Sequence, residues 1–502
     1  MITFFDIIPQ DQANFICSQL LSFTYAFIFR QILINHIHQK QSIITKNFIH
    51  FFTIVPGLIF SWFCFGNQIF HLILLSLTSY LLLYIFDYKW IHLMTFFLAM
   101  IYLSAIHTHR LVFGDFAGTY QMDISAPIMI LVQKITLIAF SLHDGWLIDT
   151  TTNQIINHER KKYSIRQKPS LLQYCSYVFD FQTILCGPMI FYNDYHDYLD
   201  GNTIKKYGLH HFPPVAKTIW KSLLTCSICA ILTMKFVPLF PISFLQDEKF
   251  MQANFVYKIL IIYLVTTGAR IKYYFAWKMA ESVCNASGLG FTTLTGTDNQ
   301  PIYDLATNIR IYDFEMSLSQ HDAIAAWNIS TVRWLRAAVH IRVPKRYSAM
   351  ATFALSAFWH GFYPGYYLTF ATAGLFMAVS KTMRKCIRYR FVHSKHFLNG
   401  YHCLTWLITR IMIAYFAFPF VLLSLHQSIL VYQSIYWSGH LVAIFAWLIV
   451  PLILKSESKN RDKHDEYQQM NGNGKKNDIT TITTTNNNNL KKKNGFINHH
   501  EH

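Results

Sequence analysis

Apolar residues fall along this chain in long runs separated by short polar gaps. The runs cover about 13–35, 47–65, 68–87 and 91–106, then 124–143, 215–245, 254–279, 404–425 and 436–454. About 20 apolar residues in a helix cross a bilayer core about 30 Å thick, so each run predicts a helix that spans or nearly spans. His36, His38, Lys40 and Lys46 mark one polar gap, and Asp87, Lys89 and His92 mark another. The run at 124–143 carries Gln133 and Lys134, which predicts a buried helix turning both groups towards protein. Residues 144–170 are polar and basic and predict an exposed loop, cytosolic because of HERKK and RQK. Residues 171–200 mix apolar groups with Asp180, several Tyr and a Gly187-Pro188 turn. That pattern predicts a re-entrant or interfacial segment.

Two further stretches carry the candidate chemistry. Residues 321–342 repeat apolar positions at helical spacing, with Ile324, Trp327, Asn328, Thr331, Trp334 and Leu335 on one side. They predict one amphipathic helix that ends before Pro344. SAFWHGFYPGYYLTF, residues 356–370, places His360 in an apolar run and follows it with Gly361, Pro364 and Gly365. The interval between Arg346 and Lys381 is too long for one upright crossing and too short for two. It predicts a span broken near His360. Irregular backbone at membrane depth survives only inside protein or along a cavity, and an ionisable side chain there marks a functional site by default.

Composition supports a polytopic, all-α membrane protein. The 502 residues are 53% hydrophobic and only 14% charged, against about 25% charged in soluble domains. The formal net charge of +17 matches Lys and Arg gathered in cytosolic loops, or facing anionic headgroups or an anionic substrate. No nucleic-acid-binding motif accompanies it. From Lys455 the chain turns Lys-, Asn- and Thr-rich, so the expected organisation is a membrane domain over 1–454 and a disordered tail over 455–502. The N-terminus lacks a basic region and a cleavage site, so the first span is expected to act as the insertion signal. Nine scattered cysteines show no disulfide framework, and Cys226 and Cys229 read as small lipid- or helix-facing residues.

An unperturbed histidine can take and return a proton near neutral pH, which makes His360 the candidate base. Asn328, beside Trp327, offers amide donors and an acceptor to a developing oxyanion or to a histidine. The bland alternatives are a histidine bonded to a neighbouring helix and a polar glue residue between helices. Asn328 and Asn285 also begin formal glycosylation sequons. No metal site, P-loop, GxSxG or Cys–His pair is evident. A histidine base acting on an alcohol and an activated acyl donor is the expected chemistry.

The FWHGFYPGYYLTF stretch resembles the membrane-bound O-acyltransferase superfamily, which pairs a histidine in an apolar span with an upstream asparagine. QKITLIAFSLHDG (133–145), CGPMIFYNDY (186–195), YYFAWKMAE (273–281) and NIRIYDFEMS (308–317) extend the likeness over roughly 13–455, in order. It is nearest the lysophospholipid acyltransferase branch, especially members acylating lysophosphatidylethanolamine and lysophosphatidylserine with oleoyl-CoA. The resemblance implies a bundle of about ten or eleven transmembrane helices enclosing a chamber in the endoplasmic reticulum membrane. It makes His360 the base and Asn328 its partner, with Trp327, Tyr274 and Trp277 as candidate lining. Acyl-CoA is implied as co-substrate, with no bound cofactor and no metal. Relatives of that compartment often end in a dilysine signal, whereas this chain ends NHHEH. The rival expectations are a related enzyme using a protein, sterol or diacylglycerol, and a non-catalytic transporter or scaffold.

Overall fold

The computed structural model describes residues 9–38, 43–114, 123–150, 157–295, 299–391 and 395–454. The expected tail at 455–502 lies outside them. The first five helices are α1 (Gln10–His38), α2 (Ile43–Phe65), α3 (Ile69–Ile85), α4 (Ile91–Phe113) and α5 (Ser125–Thr150). Short helices follow: α6 (His158–Lys162), α7 (Leu171–Val178), α8 (Tyr192–Leu199) and α9 (Asn202–Lys205). Then come α10 (Ala216–Lys235), α11 (Glu248–Gln252) and α12 (Phe255–Ser287). A two-stranded antiparallel hairpin, β1 (Phe291–Thr295) and β2 (Gln300–Tyr303), interrupts the helices. The rest is α13 (Ile311–Glu315), α14 (Gln320–Ala326), α15 (Ile329–Leu335), α16 (Lys345–His360), α17 (Pro364–Ile387), α18 (Lys395–Leu422), α19 (Leu425–Ser434) and α20 (Ser438–Ile453).

The all-α membrane architecture stands. Among the described residues seven helical stretches are long and apolar enough to cross a bilayer, or eight if the bent pair α19–α20 is one span. The larger expected number has a physical explanation. Asn47–Ile85 counts as one stretch of 39 residues, about twice the length one upright crossing needs. Its α-helix is interrupted by a short 3-10 turn at Gly66–Gln68, where Gly66 has φ +53°. Other segments of the bundle are short or amphipathic.

The core is built around α5, whose most apolar window is 83% buried. Its polar groups face protein as expected. Lys134 Nζ donates to the Tyr177 carbonyl at 2.7 Å and lies 3.3 Å from Asp180 Oδ2, both side chains being 1% exposed. Gln133 donates to Thr331 Oγ1 at 3.0 Å, and the Trp334 indole N–H donates to Thr136 Oγ1 at 3.0 Å. α5 therefore fixes α15 through two hydrogen bonds. Segment 171–200 is mostly buried, irregular backbone between α7 and α8, in keeping with a re-entrant element.

Three expectations are corrected. Residues 144–170 are not simply an exposed loop: α5 continues to Thr150, and Asp144 is buried at 3% exposure. Its carboxylate is held by a two-pronged contact from Arg342 at 2.8 and 2.7 Å and by Arg160 at 2.6 Å. Residues 321–342 are not one helix, because the chain breaks at Trp327–Asn328 and tightens into a π-helical turn at Arg336–His340. α12 runs on to Ser287, where Gly288 at φ +97° ends it. Cys226 and Cys229 are buried, the former directed at the Phe275 carbonyl of α12, so they face a helix.

The described residues divide into two compact units, one joining those up to 377 with 404–440 and the other joining those of 378–403 with 441–454. The first holds every candidate site residue. In the second, the Phe391 and Tyr401 rings stack at 5.3 Å.

Candidate active site

Asn328 sits at the break between α14 and α15 with φ 46° and ψ 51°. This left-handed conformation is uncommon for side chains other than glycine, and asparagine tolerates it best. The break exposes the first amides of α15, and Asn308 satisfies two of them. The Ile329 N–H donates to the Asn308 carbonyl at 2.9 Å, and the Ser330 N–H donates to Asn308 Oδ1 at 2.9 Å. The Ser330 hydroxyl donates to the same oxygen at 2.8 Å. Asn308 is 2% exposed and thus caps α15 from outside. Asn328 makes no side-chain cap bond of its own to α15. Its amide is half-buried and remains available.

Trp327, Tyr274 and Trp277 come together. The Trp327 ring lies 5.0 Å from Trp277, 5.9 Å from Tyr274 and 5.0 Å from Phe314, centroid to centroid. These are ordinary aromatic pair distances, and they stiffen the residue preceding Asn328. The cluster continues into charge. The Tyr274 hydroxyl donates to Glu315 Oε1 at 2.6 Å. Arg410 Nη1 donates to Glu315 Oε2 at 2.9 Å, and Arg270 Nη2 lies 3.3 Å from Oε1. Both guanidiniums also lie over the Phe314 ring. Two buried arginines share one carboxylate here, at mid-length in α12 and α18. Arg270 Nη1 and Arg410 Nε are buried without a hydrogen-bond partner. The sequence reading passed over these charges, although isolated Arg270 and Arg410 inside apolar runs were the signal for them.

His360 is the last residue of α16. Gly361 then adopts φ +117° and ψ −166°, a region essentially reserved for glycine. Pro364 opens α17 with a preset φ. Gly365 lies so close to α18 that an added Cβ would stand 2.1 Å from the Pro419 carbonyl oxygen. The expected break is therefore present, with glycines at its two tightest points. The imidazole stacks on Phe370 at 5.3 Å and meets Phe420 edge-on at 5.0 Å and Tyr366 at 5.6 Å. It remains partly accessible.

Packing sets both candidates at the same end of one hairpin. α15 and the π turn run to residues 341–344, and α16 returns beside them. His340 Nδ1 and Thr352 Oγ1 are 3.3 Å apart near the closed end, and the Trp334 and Trp359 rings are 5.7 Å apart further along. Pairs that draw nearer the turn as their separation shrinks define antiparallel helices. The start of α15 and the end of α16 are thus both at the open end. Asn328 is six residues before Trp334, about 9 Å along a helix axis, and His360 follows Trp359 directly.

The closed end is basic. Arg336 Nε donates to Glu159 at 2.6 Å and Arg342 binds Asp144, while Lys161, Lys162, Lys345 and Arg346 are exposed. Among the described residues no group of three or more His, Cys, Asp or Glu is arranged to hold a metal ion. The Asn285 side chain is fully buried, which removes that sequon from any modifying enzyme.

Comparison with known proteins identifies the family. Residues 109–422 match the model of the membrane-bound O-acyltransferase family. The chain is 36% identical over 477 residues to lysophospholipid acyltransferase 6 of Drosophila melanogaster, covering 92% of this chain and 63% of the fly protein. It therefore spans less than two thirds of that relative's length. It is 34% identical over 459 residues to membrane-bound glycerophospholipid O-acyltransferase 1 of Mus musculus, covering 89% and 90% of the two chains. Identity to the lysophospholipid acyltransferase of Saccharomyces cerevisiae is 28% over 402 residues, covering 74% and 64%.

Proposed function

Because the chain belongs to the membrane-bound O-acyltransferase family, we propose that it transfers a fatty acyl group from acyl-CoA to the free glycerol hydroxyl of a lysophospholipid. The observation that carries this reading is the shared open end of the α15–α16 hairpin, where the partly accessible His360 imidazole and the uncommitted Asn328 amide both lie. His360 accepts the proton of the acceptor hydroxyl as its oxygen attacks the thioester carbonyl. Asn328 donates an amide N–H to the oxyanion that forms. The intermediate collapses with loss of the CoA thiolate, which takes up the proton. The products are a diacyl phospholipid and CoA.

Charge supports a phosphate-bearing acceptor. In a lysophosphoglyceride the phosphate lies only a few bonds from the reacting hydroxyl, so its counter-charge belongs close to the catalytic pair. Arg270 and Arg410, two cations on one carboxylate, adjoin the Trp327–Asn328 break through Tyr274 and Phe314. A sterol or diacylglycerol would leave that excess charge unanswered in a low-dielectric site, which is costly. Lysophosphatidylethanolamine and lysophosphatidylserine are the proposed acceptors and oleoyl-CoA the proposed donor. The exposed lysines and arginine at the closed end of the hairpin meet the donor's phosphates. The proposed setting is the endoplasmic reticulum membrane, where both acyl chains stay in the bilayer and avoid a desorption cost of about 0.8 kcal/mol per CH₂.

The test is an acceptor panel with labelled oleoyl-CoA and purified protein. Lysophospholipids are expected to be labelled and monoacylglycerol, sterol and peptide acceptors not. Labelling of a phosphate-free acceptor at equal efficiency would refute the acceptor class. Absence of CoA release with every acceptor would refute the enzyme and favour a transporter or scaffold.

A further inference from the structure

A second histidine holds the end of the helix that presents His360. His107 lies on α4 and is 5% exposed. Its Nε2 is 3.1 Å from the carbonyl oxygen of Trp359. A carbonyl only accepts, so Nε2–H is the donor and the proton of the neutral ring is placed there. Trp359 is one residue from the end of α16, where the last four carbonyls have no partner within the helix. His107 supplies that partner from a different helix.

Three other contacts show that this is a fitted joint. The face of the His107 ring closes on Gly361, where an added Cβ would be 3.1 Å from His107 Cγ and Nδ1. The Gly361 N–H returns to the Phe358 carbonyl at 3.2 Å, which ends the helix tightly. The Trp359 indole N–H donates to the Met129 carbonyl on α5 at 3.1 Å. Trp359 is thus held by its carbonyl on α4, by its indole N–H on α5 and by its ring on Trp334. Among the described residues His360 has no comparable polar tether: its ring is packed by Phe370, Phe420 and Tyr366, and its backbone follows from Trp359.

We propose that His107 is a positioning residue for acyl transfer: it caps the carbonyl of Trp359 and thereby sets the place and angle of the His360 imidazole. It touches no reacting atom. Loss of the cap frees the last turn of α16 next to a glycine that offers no resistance of its own. A displacement of about 1 Å of a catalytic group is enough to lower turnover about 100-fold. Sequence reading missed His107 because it falls just past an apolar run ending near 106 and carries no local motif.

The inference rests on the acyltransferase reading, and the experiment separates the two. Full-length wild type, His360→Ala, His107→Leu and His107→Gln are purified in nanodiscs and compared by kinetics and by hydrogen exchange of the peptide covering 356–366. His107→Leu is expected to lower kcat about 10- to 100-fold with KM for both substrates little changed. It should also speed exchange of the last turn of α16. Glutamine places an N–H donor near the position of Nε2, so His107→Gln is expected to restore slow exchange and much of kcat. Wild-type exchange and kcat in His107→Leu would overturn the proposal. So would equal losses in the leucine and glutamine variants, which would mean packing alone. If wild type acylates nothing, the functional reading falls, and the exchange difference between leucine and glutamine still decides whether His107 fixes the helix end.

Discussion

At the scale of single residues the account turns on what Asn328 contributes. Its backbone is left-handed and its side chain is uncommitted, and these two roles separate by substitution. Asn328→Gly keeps the left-handed conformation and removes the amide. Asn328→Ala removes the amide and adds about 1–2 kcal/mol of backbone strain. If the amide stabilises the oxyanion, both variants lose activity at least about tenfold, in line with the loss of one such donor. Wild-type turnover in Asn328→Gly would reduce the residue to a backbone hinge. Much at this scale was legible in the sequence. His360 stood out because glycine and proline crowd an apolar run, and Asn328 because its neighbours are apolar. Asn308 was not legible, because an asparagine among NIRIYDFEMS gains meaning only once its carbonyl and amide oxygen are found on Ile329 and Ser330.

Among the elements, the decisive one is the α15–α16 hairpin. Periodicity predicted one helix over 321–342. The same helical face is satisfied by two helices with a break, because Thr331, Trp334 and Leu335 still reach the interior and Asn308 replaces the lost helical hydrogen bonds. Helical spacing alone cannot distinguish these outcomes when an external cap supplies the difference. The prediction at this scale is that Asn308→Ala, which keeps the carbonyl bonded to the Ile329 N–H but removes Oδ1, leaves the Ser330 N–H and hydroxyl buried without that acceptor. Such groups cost about 1–3 kcal/mol each, so the variant should melt earlier in detergent and exchange the amide of 330 faster. Unchanged exchange at that position would show that the break is held by something else. A converse lesson comes from 144–170: its basic composition read as an exposed loop, and only Arg342, nearly 200 residues away, reveals why Asp144 is buried.

For the whole molecule, the ends of the hairpin assign two jobs to two places. The open end carries His360 and Asn328 and a positive pair in Arg270 and Arg410. The closed end carries exposed Lys161, Lys162, Lys345 and Arg346. By the positive-inside rule that basic end is expected in the cytosol, on the side from which acyl-CoA is proposed to come. Cysteines introduced at 161 and 345 should therefore both react with an impermeant thiol reagent from the cytosolic side of sealed microsomes, and neither from the lumen. Opposite labelling of the two positions would contradict the hairpin's placement. Replacing Lys345 and Arg346 with serine is expected to raise KM for acyl-CoA while leaving kcat near wild type, with the KM difference shrinking as salt is added. The membrane class was plain from the apolar runs and low charge. The long-range pairings of Asn308 with Ile329 and of His107 with Trp359 were not, since no local pattern records which runs pack together.

The central claim is most directly tested by following transfer of labelled oleate from oleoyl-CoA to lysophosphatidylethanolamine by purified wild type and His360→Ala. The account predicts a diacyl product and stoichiometric CoA from wild type, and turnover about 10²- to 10⁴-fold lower in the variant at unchanged folding and substrate binding. Wild-type turnover by His360→Ala would contradict it.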